Sequence, residues 1–196
     1  MIELRGKAVA DAHKAILQEK VAAVGDSVIT MAVLLVGEDH GAHMYATFME
    51  KTAKNFGYGF VLKQLPETAT QDEVVTALQA LNNDVAVHGI LPLMPMPKHI
   101  DTEALIDMLD PKKDIDGLTT YNIGLVTAGK GGFAPCTAKA CMAILSHYDI
   151  PVEGKHVVVV GRSQVIGKPV ALMTLGANGT VTICHSRTPD LAEQVK

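Results

Sequence analysis

The sequence has no tryptophan, and its aromatic complement is four Tyr and four Phe in 196 residues. Stacking platforms of the kind that hold unpaired bases are therefore scarce. Positive charge is also lacking: 17 Lys and Arg stand against 21 Asp and Glu, a net charge of −4. That balance gives no electrostatic footprint for nucleic acid. No apolar run reaches the ~18 residues of a membrane span. The N-terminal Met1-Ile-Glu-Leu-Arg-Gly lacks the apolar stretch of a secretory signal, so a cytoplasmic protein is expected. Cys136, Cys141 and Cys184 have no Cys-x-x-Cys spacing and read as reduced, buried thiols without a metal. No repeat or low-complexity segment is present.

What remains is enough for a packed core, since 48% of residues are hydrophobic and 19% charged. A chain of this size buries about 70% of its unfolded surface, in one large domain or two small ones. Apolar positions at Val9, Ala12, Ile16, Val21 and Val24 predict a helix over 7–24, stopped by Gly25. The apolar run Ile29 to Val36 predicts a strand buried on both faces, as in a parallel sheet. A helix over 42–56 ends at Gly57, and a strand over 59–63 precedes Pro66. Thr70-Gln-Asp-Glu73 spells a capping box opening a helix to Leu81. A strand over 88–91 is stopped by Pro92, and a short helix covers 101–109. Residues 110–136 read as a loop long enough to be functional. Helices over 137–148 and 165–175 alternate with strands over 156–160 and 180–184, and Leu191 begins another helix. Strands separated by helices predict an α/β fold with parallel sheets. A boundary is expected near 148–154, giving domains 1–148 and 149–196.

Val157-Val-Val-Val-Gly161-Arg-Ser-Gln-Val-Ile-Gly167-Lys-Pro169 runs from strand through glycine turn to helix. Such a turn aims backbone N–H groups and the positive helix end at an anion. It is not G-x-G-x-x-G, because Ser163 stands at the middle glycine and the last glycine comes one residue late. It is not a phosphate-binding P-loop either, because Pro169 replaces the Ser or Thr that would hold magnesium. The next strand ends Cys184-His-Ser-Arg-Thr188, where an acid would select NAD. Ser186 and Arg187 stand there instead, with Arg162 in the turn. Two guanidiniums and a hydroxyl suit the 2′-phosphate of NADP, with NAD as the alternative. The alternative reading makes Arg187 a solvated loop charge.

Val160-Gly-Arg-Ser-x-x-x-Gly-x-Pro169, Thr180-Val-Thr-Ile-Cys-His-Ser-Arg-Thr188, Lys113-Asp-Ile-Asp-Gly117, Tyr121-Asn-x-Gly124 and Pro135-Cys-Thr137 occur in one order. In these motifs the chain resembles the bifunctional methylenetetrahydrofolate dehydrogenase/methenyltetrahydrofolate cyclohydrolase family, from Leu4 to the C-terminus. The resemblance implies an N-terminal α/β folate domain with a parallel-rich sheet, joined to an incomplete Rossmann-like NAD(P)-binding domain. It implies NADP-dependent oxidation of 5,10-methylenetetrahydrofolate to the methenyl form, and a homodimer joined through the cofactor domain. Tyr45 matches the tyrosine that stacks on the aminobenzoyl ring of folate. Asp116 matches the aspartate that hydrogen-bonds the pterin. Pro135 and Thr137 match the segment that opens the interdomain helix, with Thr137 as its N-cap. Gly161, Arg162, Ser163, Ser186 and Arg187 match the cofactor-binding positions. No metal is implied.

Three positions depart from the family pattern. Met49 stands where the family has its cyclohydrolase lysine, Leu93 where a glutamine hydrogen-bonds that lysine, and Ala42 where a serine precedes the tyrosine. At about 100° per residue, Met49 lies about 40° from Tyr45 on a helix, whereas Lys51 and Lys54 lie on other faces. Neither lysine can substitute. Losing both members of a polar pair is nearly neutral, whereas losing one strands the other. The expectation is a dehydrogenase without cyclohydrolase, with no certain catalytic residue. The alternatives are a non-catalytic remnant or folate/nucleotide-binding protein, and a Rossmann dehydrogenase acting on a small acid. His43 and His88 read as structural. Compared with the family, the chain is expected to be short of the rest of its cofactor sheet and of a Gly-Pro-rich folate loop. That leaves an apolar face and a strand edge uncovered.

Overall fold

The computed structural model describes residues 3–25 and 28–196. Met1 and Ile2, part of the N-terminal segment weighed as a signal, lie outside the described residues. The chain packs as two compact units, one of residues 14–115 and one of residues 1–13 with 116–196. This division by packing falls upstream of the functional boundary expected at 148. The helix α1, Gly6–Ala23, starts in the second of these units and ends in the first.

The 14–115 unit is a three-stranded parallel sheet in the order β2-β1-β3, formed by β1 (Thr30–Val36), β2 (Gly59–Leu65) and β3 (Gly89–Pro92). Val33, Leu34, Leu35 and Ala32 on β1 are fully buried, because helices cover both faces. On one face, α3 (Gln71–Asn83) and α4 (Thr102–Asp107) pack Val74, Leu78 and Leu105 against Leu34 and Ile90. On the other, α2 (His40–Phe56) sets Ala42 and Ala46 against Val33, Leu35, Leu91 and Leu93. Each fully buried Leu or Val contributes about 1.5–3 kcal/mol.

The ends of these helices follow the sequence closely. Asp39 caps α2 by accepting from Ala42 N–H, and Gly57 ends it in the left-handed region at φ 77°. The Thr70 hydroxyl accepts from Glu73 N–H while the Glu73 carboxylate accepts from Thr70 N–H at 2.8 Å, a complete capping box. Pro92, expected to stop β3, is instead its last residue. It pairs with Leu34 at the end of the ladder, where a missing N–H is tolerated, and Leu93 N–H resumes bonding to Leu34 O.

The other unit holds a two-stranded parallel sheet of β4 (His156–Val160) and β5 (Thr180–Cys184). The helices α5 (Thr120–Thr127), α6 (Cys136–His147) and α7 (Gly167–Gly176) pack in the same unit, and α8 (Leu191–Gln194) follows β5. The α5 helix corrects the reading of 110–136 as loop throughout. Thr119 caps it by accepting from Asn122 N–H, and a short helix with a glycine at 124 carries little periodic signal. Thr137 is not an N-cap: it lies inside α6, whose cap position is Pro135 without a side-chain bond. The thiols differ from expectation as well. Cys184 is buried, Cys141 is intermediate and Cys136 is exposed, and none of the three is in a disulfide. As expected for a sheet of two strands, Val160 and Ile183 remain 59% and 44% exposed.

Candidate functional site

The site residues fall in both units. In the 14–115 unit, α2 carries Ala42, Tyr45 and Met49 on adjoining arcs. Exposure grades across that helix: Ala42, Ala46 and Ala53 are buried, Met49 is half-buried, and Tyr45 and Phe48 are exposed. Met49 packs on the apolar cluster that contains Ala42, Leu91 and Leu93, with Leu93 only 4% exposed. Met49 and Leu93 therefore share one apolar patch. A thioether there neither takes nor gives a proton.

The neighbouring polar groups have structural duties. His43 Nε2 donates to Gly37 O at 3.2 Å, His88 Nδ1 accepts from Thr30 N–H, and Lys54 pairs with Glu50 at 2.6 Å. At the sheet edge, Ile90 N–H donates to Lys113 O at 2.7 Å, and Ile90 bridges Asp114 in parallel. Lys113 Nζ donates to the carbonyls of Leu81, Asn82 and Asp84, where α3 ends. A cation there satisfies carbonyls that the helix leaves open and opposes the negative end of its dipole. Lys113 and Asp114 thus lock the start of the Lys113-Asp-Ile-Asp-Gly117 motif.

In the other unit, three motifs far apart in sequence meet. Asp116 Oδ1 accepts from Cys136 N–H at 3.0 Å, supplying the cap that Pro135 cannot give to α6. Asn122 is 2% exposed, and its Oδ1 accepts from Phe133 N–H at 3.2 Å. Gly117 sits at φ 62°, and a side chain on it would collide with the Phe133 carbonyl. Asp116, Asn122 and Pro135 are thereby fixed together. A cavity of about 250 Å³ adjoins them, lined by Pro135, Ile123 and Val126 on one side and Gln164, Lys168 and Leu172 on the other.

The carboxyl edge of the sheet gathers the cofactor candidates. Val160 pairs with Cys184, and Gly161 N–H donates to Cys184 O at 2.8 Å, so both strands end level. Gly161 has φ 138°, and a side chain built on it would point into open space. Gly167 presses on the Gly161 carbonyl so closely that no side chain fits. Those are two of the jobs glycines do in a dinucleotide turn: close approach by a ligand and tight packing of helix on strand. Ser163 Oγ accepts from the N–H groups of Ile166 and Gly167, at 3.1 and 3.3 Å, so it caps α7 across the turn. After β5, His185 N–H donates to Thr188 Oγ1 and Arg187 N–H to His185 Nδ1. This turn leaves Ser186 and Arg187 exposed, as Arg162 is, with no carboxylate among them. The open glycine, two guanidiniums and a hydroxyl fit a phosphorylated dinucleotide.

Sequence reasoning missed the parts played by Gly117, Asn122 and Lys113. Each stood inside a quoted motif, but its partner lies 11 to 32 residues away in the chain. Among the described residues no group of three His, Cys, Asp or Glu could hold a metal, and no helix is long and apolar enough to cross a membrane.

Comparison with known proteins gives the same grouping. Residues 4–116 match the catalytic domain of tetrahydrofolate dehydrogenase/cyclohydrolase, and residues 135–196 match its NAD(P)-binding domain. The bifunctional protein FolD of Magnetococcus marinus is 45% identical over 166 residues, covering 85% of this chain and 58% of that protein. The chain thus spans about three fifths of that relative's length. The crystal structure of the Campylobacter jejuni FolD methylenetetrahydrofolate dehydrogenase/cyclohydrolase superposes with a TM-score of 0.92 at 36% identity, over 97% of this chain and 68% of that one. The Trypanosoma brucei enzyme, solved with NADP cofactor and inhibitor, gives 0.90 at 32%, over 96% and 66%. With both domain models matched in order over an α/β fold that includes a Rossmann-like part, the chain belongs to the tetrahydrofolate dehydrogenase/cyclohydrolase family.

Proposed function

We propose that this chain serves a methylenetetrahydrofolate dehydrogenase that has lost cyclohydrolase activity. The reaction moves a hydride from the methylene carbon of 5,10-methylenetetrahydrofolate to oxidised NADP, leaving 5,10-methenyltetrahydrofolate and NADPH. The functional division is 1–148 for folate and 149–196 for the cofactor. The observation that carries the reading is the packing of Met49 on the apolar cluster of Ala42 and Leu93. Hydrolysis needs a proton-handling group beside the methenyl carbon, and this patch has none. Hydride transfer asks only that the two reactants be held and oriented.

The Tyr45 ring stacks on the aminobenzoyl group. The Asp116 carboxylate, with Oδ1 held by Cys136 N–H, accepts from the pterin edge, and buried Pro135 shapes the wall beside it. Gly161, Arg162 and Ser163 hold the pyrophosphate, while Ser186 and Arg187 take the 2′-phosphate. NADP supplies the hydride acceptor when bound. The NADP complex of the Trypanosoma brucei relative supports that cofactor, as does the missing acid after β5. NAD is the weaker ligand. We further propose a cytoplasmic protein that forms homodimers through the cofactor domain and binds neither nucleic acid nor membrane.

A second reading, binding without turnover, is favoured by the apolar character of the patch at Ala42, Met49 and Leu93. Titration calorimetry with NADP and folate, followed by an NADPH absorbance assay, separates the two. Binding of both with NADPH formation supports the dehydrogenase. Binding without NADPH formation supports the second reading, and binding of neither ligand overturns both.

A further inference from the structure

The sequence holds few aromatic residues, yet two of the eight stand together on α2. Phe48 is 59% exposed and Tyr45 46% exposed, with Met44 at 61% beside them. Their rings are nearly parallel, 25° apart, with centroids separated by 6.5 Å. Three residues apart, they occupy neighbouring arcs of the helix. Met49 flanks Tyr45 on the other side and leads down to the apolar cluster. Phe48, Tyr45 and Met49 thus form one uncharged strip grading from solvent to core.

We propose that Phe48 is a second recognition ring beside Tyr45, and that the pair selects ligands carrying a planar aromatic ring over those with a saturated ring of the same size. This rests on the reading of Tyr45 as the residue that stacks on folate. An exposed Phe leaves a large apolar surface in water when the site is empty, and an aromatic ligand removes it. Two exposed, nearly parallel rings offer a ligand more aromatic surface than a lone tyrosine does. With lysine absent from position 49, the strip holds its ligand by apolar and ring contacts alone.

The test is titration calorimetry of the 196-residue chain with folic acid, with N-(4-aminobenzoyl)glutamate, and with the cyclohexane analogue of the latter. Phe48→Leu should weaken both aromatic ligands about five- to tenfold, in line with aromatic-pair and base-stacking energies. Phe48→Tyr should retain affinity, and the cyclohexane analogue should bind about equally weakly to all three chains. Circular dichroism melts establish that each variant folds, which the exposure of Phe48 favours. If Tyr45→Leu weakens binding but Phe48→Leu does not, the assignment of Phe48 is overturned while the folate reading stands. If the unsubstituted chain binds none of the aromatic ligands, the folate reading falls and this proposal with it.

Discussion

The α2 face and the cofactor edge are built from different materials. The cofactor edge rests on the backbone: a glycine at φ 138°, a second glycine pressed on its carbonyl, and two strands that end level. The α2 face rests on side chains, with Ala42, Met49 and Leu93 on one apolar cluster. A backbone cradle tolerates changes around it as long as its glycines stay. A catalytic pair of side chains does not, because losing one member leaves the other unsatisfied in a dry patch. Met49 and Leu93 pack on one cluster.

The contrast breaks most sharply at Gly167. Gly167→Val would drive a side chain into the Gly161 carbonyl. It should cost about 3 kcal/mol or more of stability and abolish NADP binding, as read by thermal melts and calorimetry. Next in size is the apolar pair. Leu93→Gln alone should destabilise the 14–115 unit by about 2–3 kcal/mol, since a buried amide gains no partner there. Met49→Lys alone should cost about 1 kcal/mol, because the half-buried stem can carry its charge toward water. The double substitution should cost less than the sum, and urea melts of the four chains give the coupling. An additive result would mean that positions 49 and 93 do not act together.

On the cofactor side, Arg187→Gln should weaken NADP about tenfold and NAD hardly at all, as calorimetry with each would show. Equal loss for both would remove Arg187 from the 2′-phosphate. The smallest effect concerns neither site. Hydrogen bonds from the Thr70 backbone and then its hydroxyl hold the Glu73 carboxyl below its ordinary range. A folded pKa below the unfolded one gives stability that is present above the unfolded value, near 4.3, and lost as pH falls through the folded value. Glu73→Gln should therefore lower Tm slightly at neutral pH and hardly at all in acid, which flattens the acid limb of a Tm-against-pH curve.

Much of the fold was legible because its signals are local. The Ile29 to Val36 run, the Thr70 capping box and the Gly57 stop each need only neighbouring residues. What escaped was set by distant partners. Cys136 N–H is capped by Asp116, 20 residues upstream, so no local pattern revealed how α6 begins. Lys113 closes the end of α3 from 29 to 32 residues away. Likewise α5 begins at a threonine cap and buries Asn122, with too few turns to show a period. The motif residues themselves could be picked out from sequence order. Their convergence around Gly117 and Pro135 could not, because it depends on the close approach of Gly117 to Phe133.

The central claim is that this chain's folate site supports oxidation without hydrolysis. The most direct measurement supplies 5,10-methenyltetrahydrofolate to the protein and follows the loss of the methenyl chromophore against a protein-free control. Decay is expected at the uncatalysed rate, unchanged by protein concentration. Decay that accelerates in proportion to added protein would contradict it.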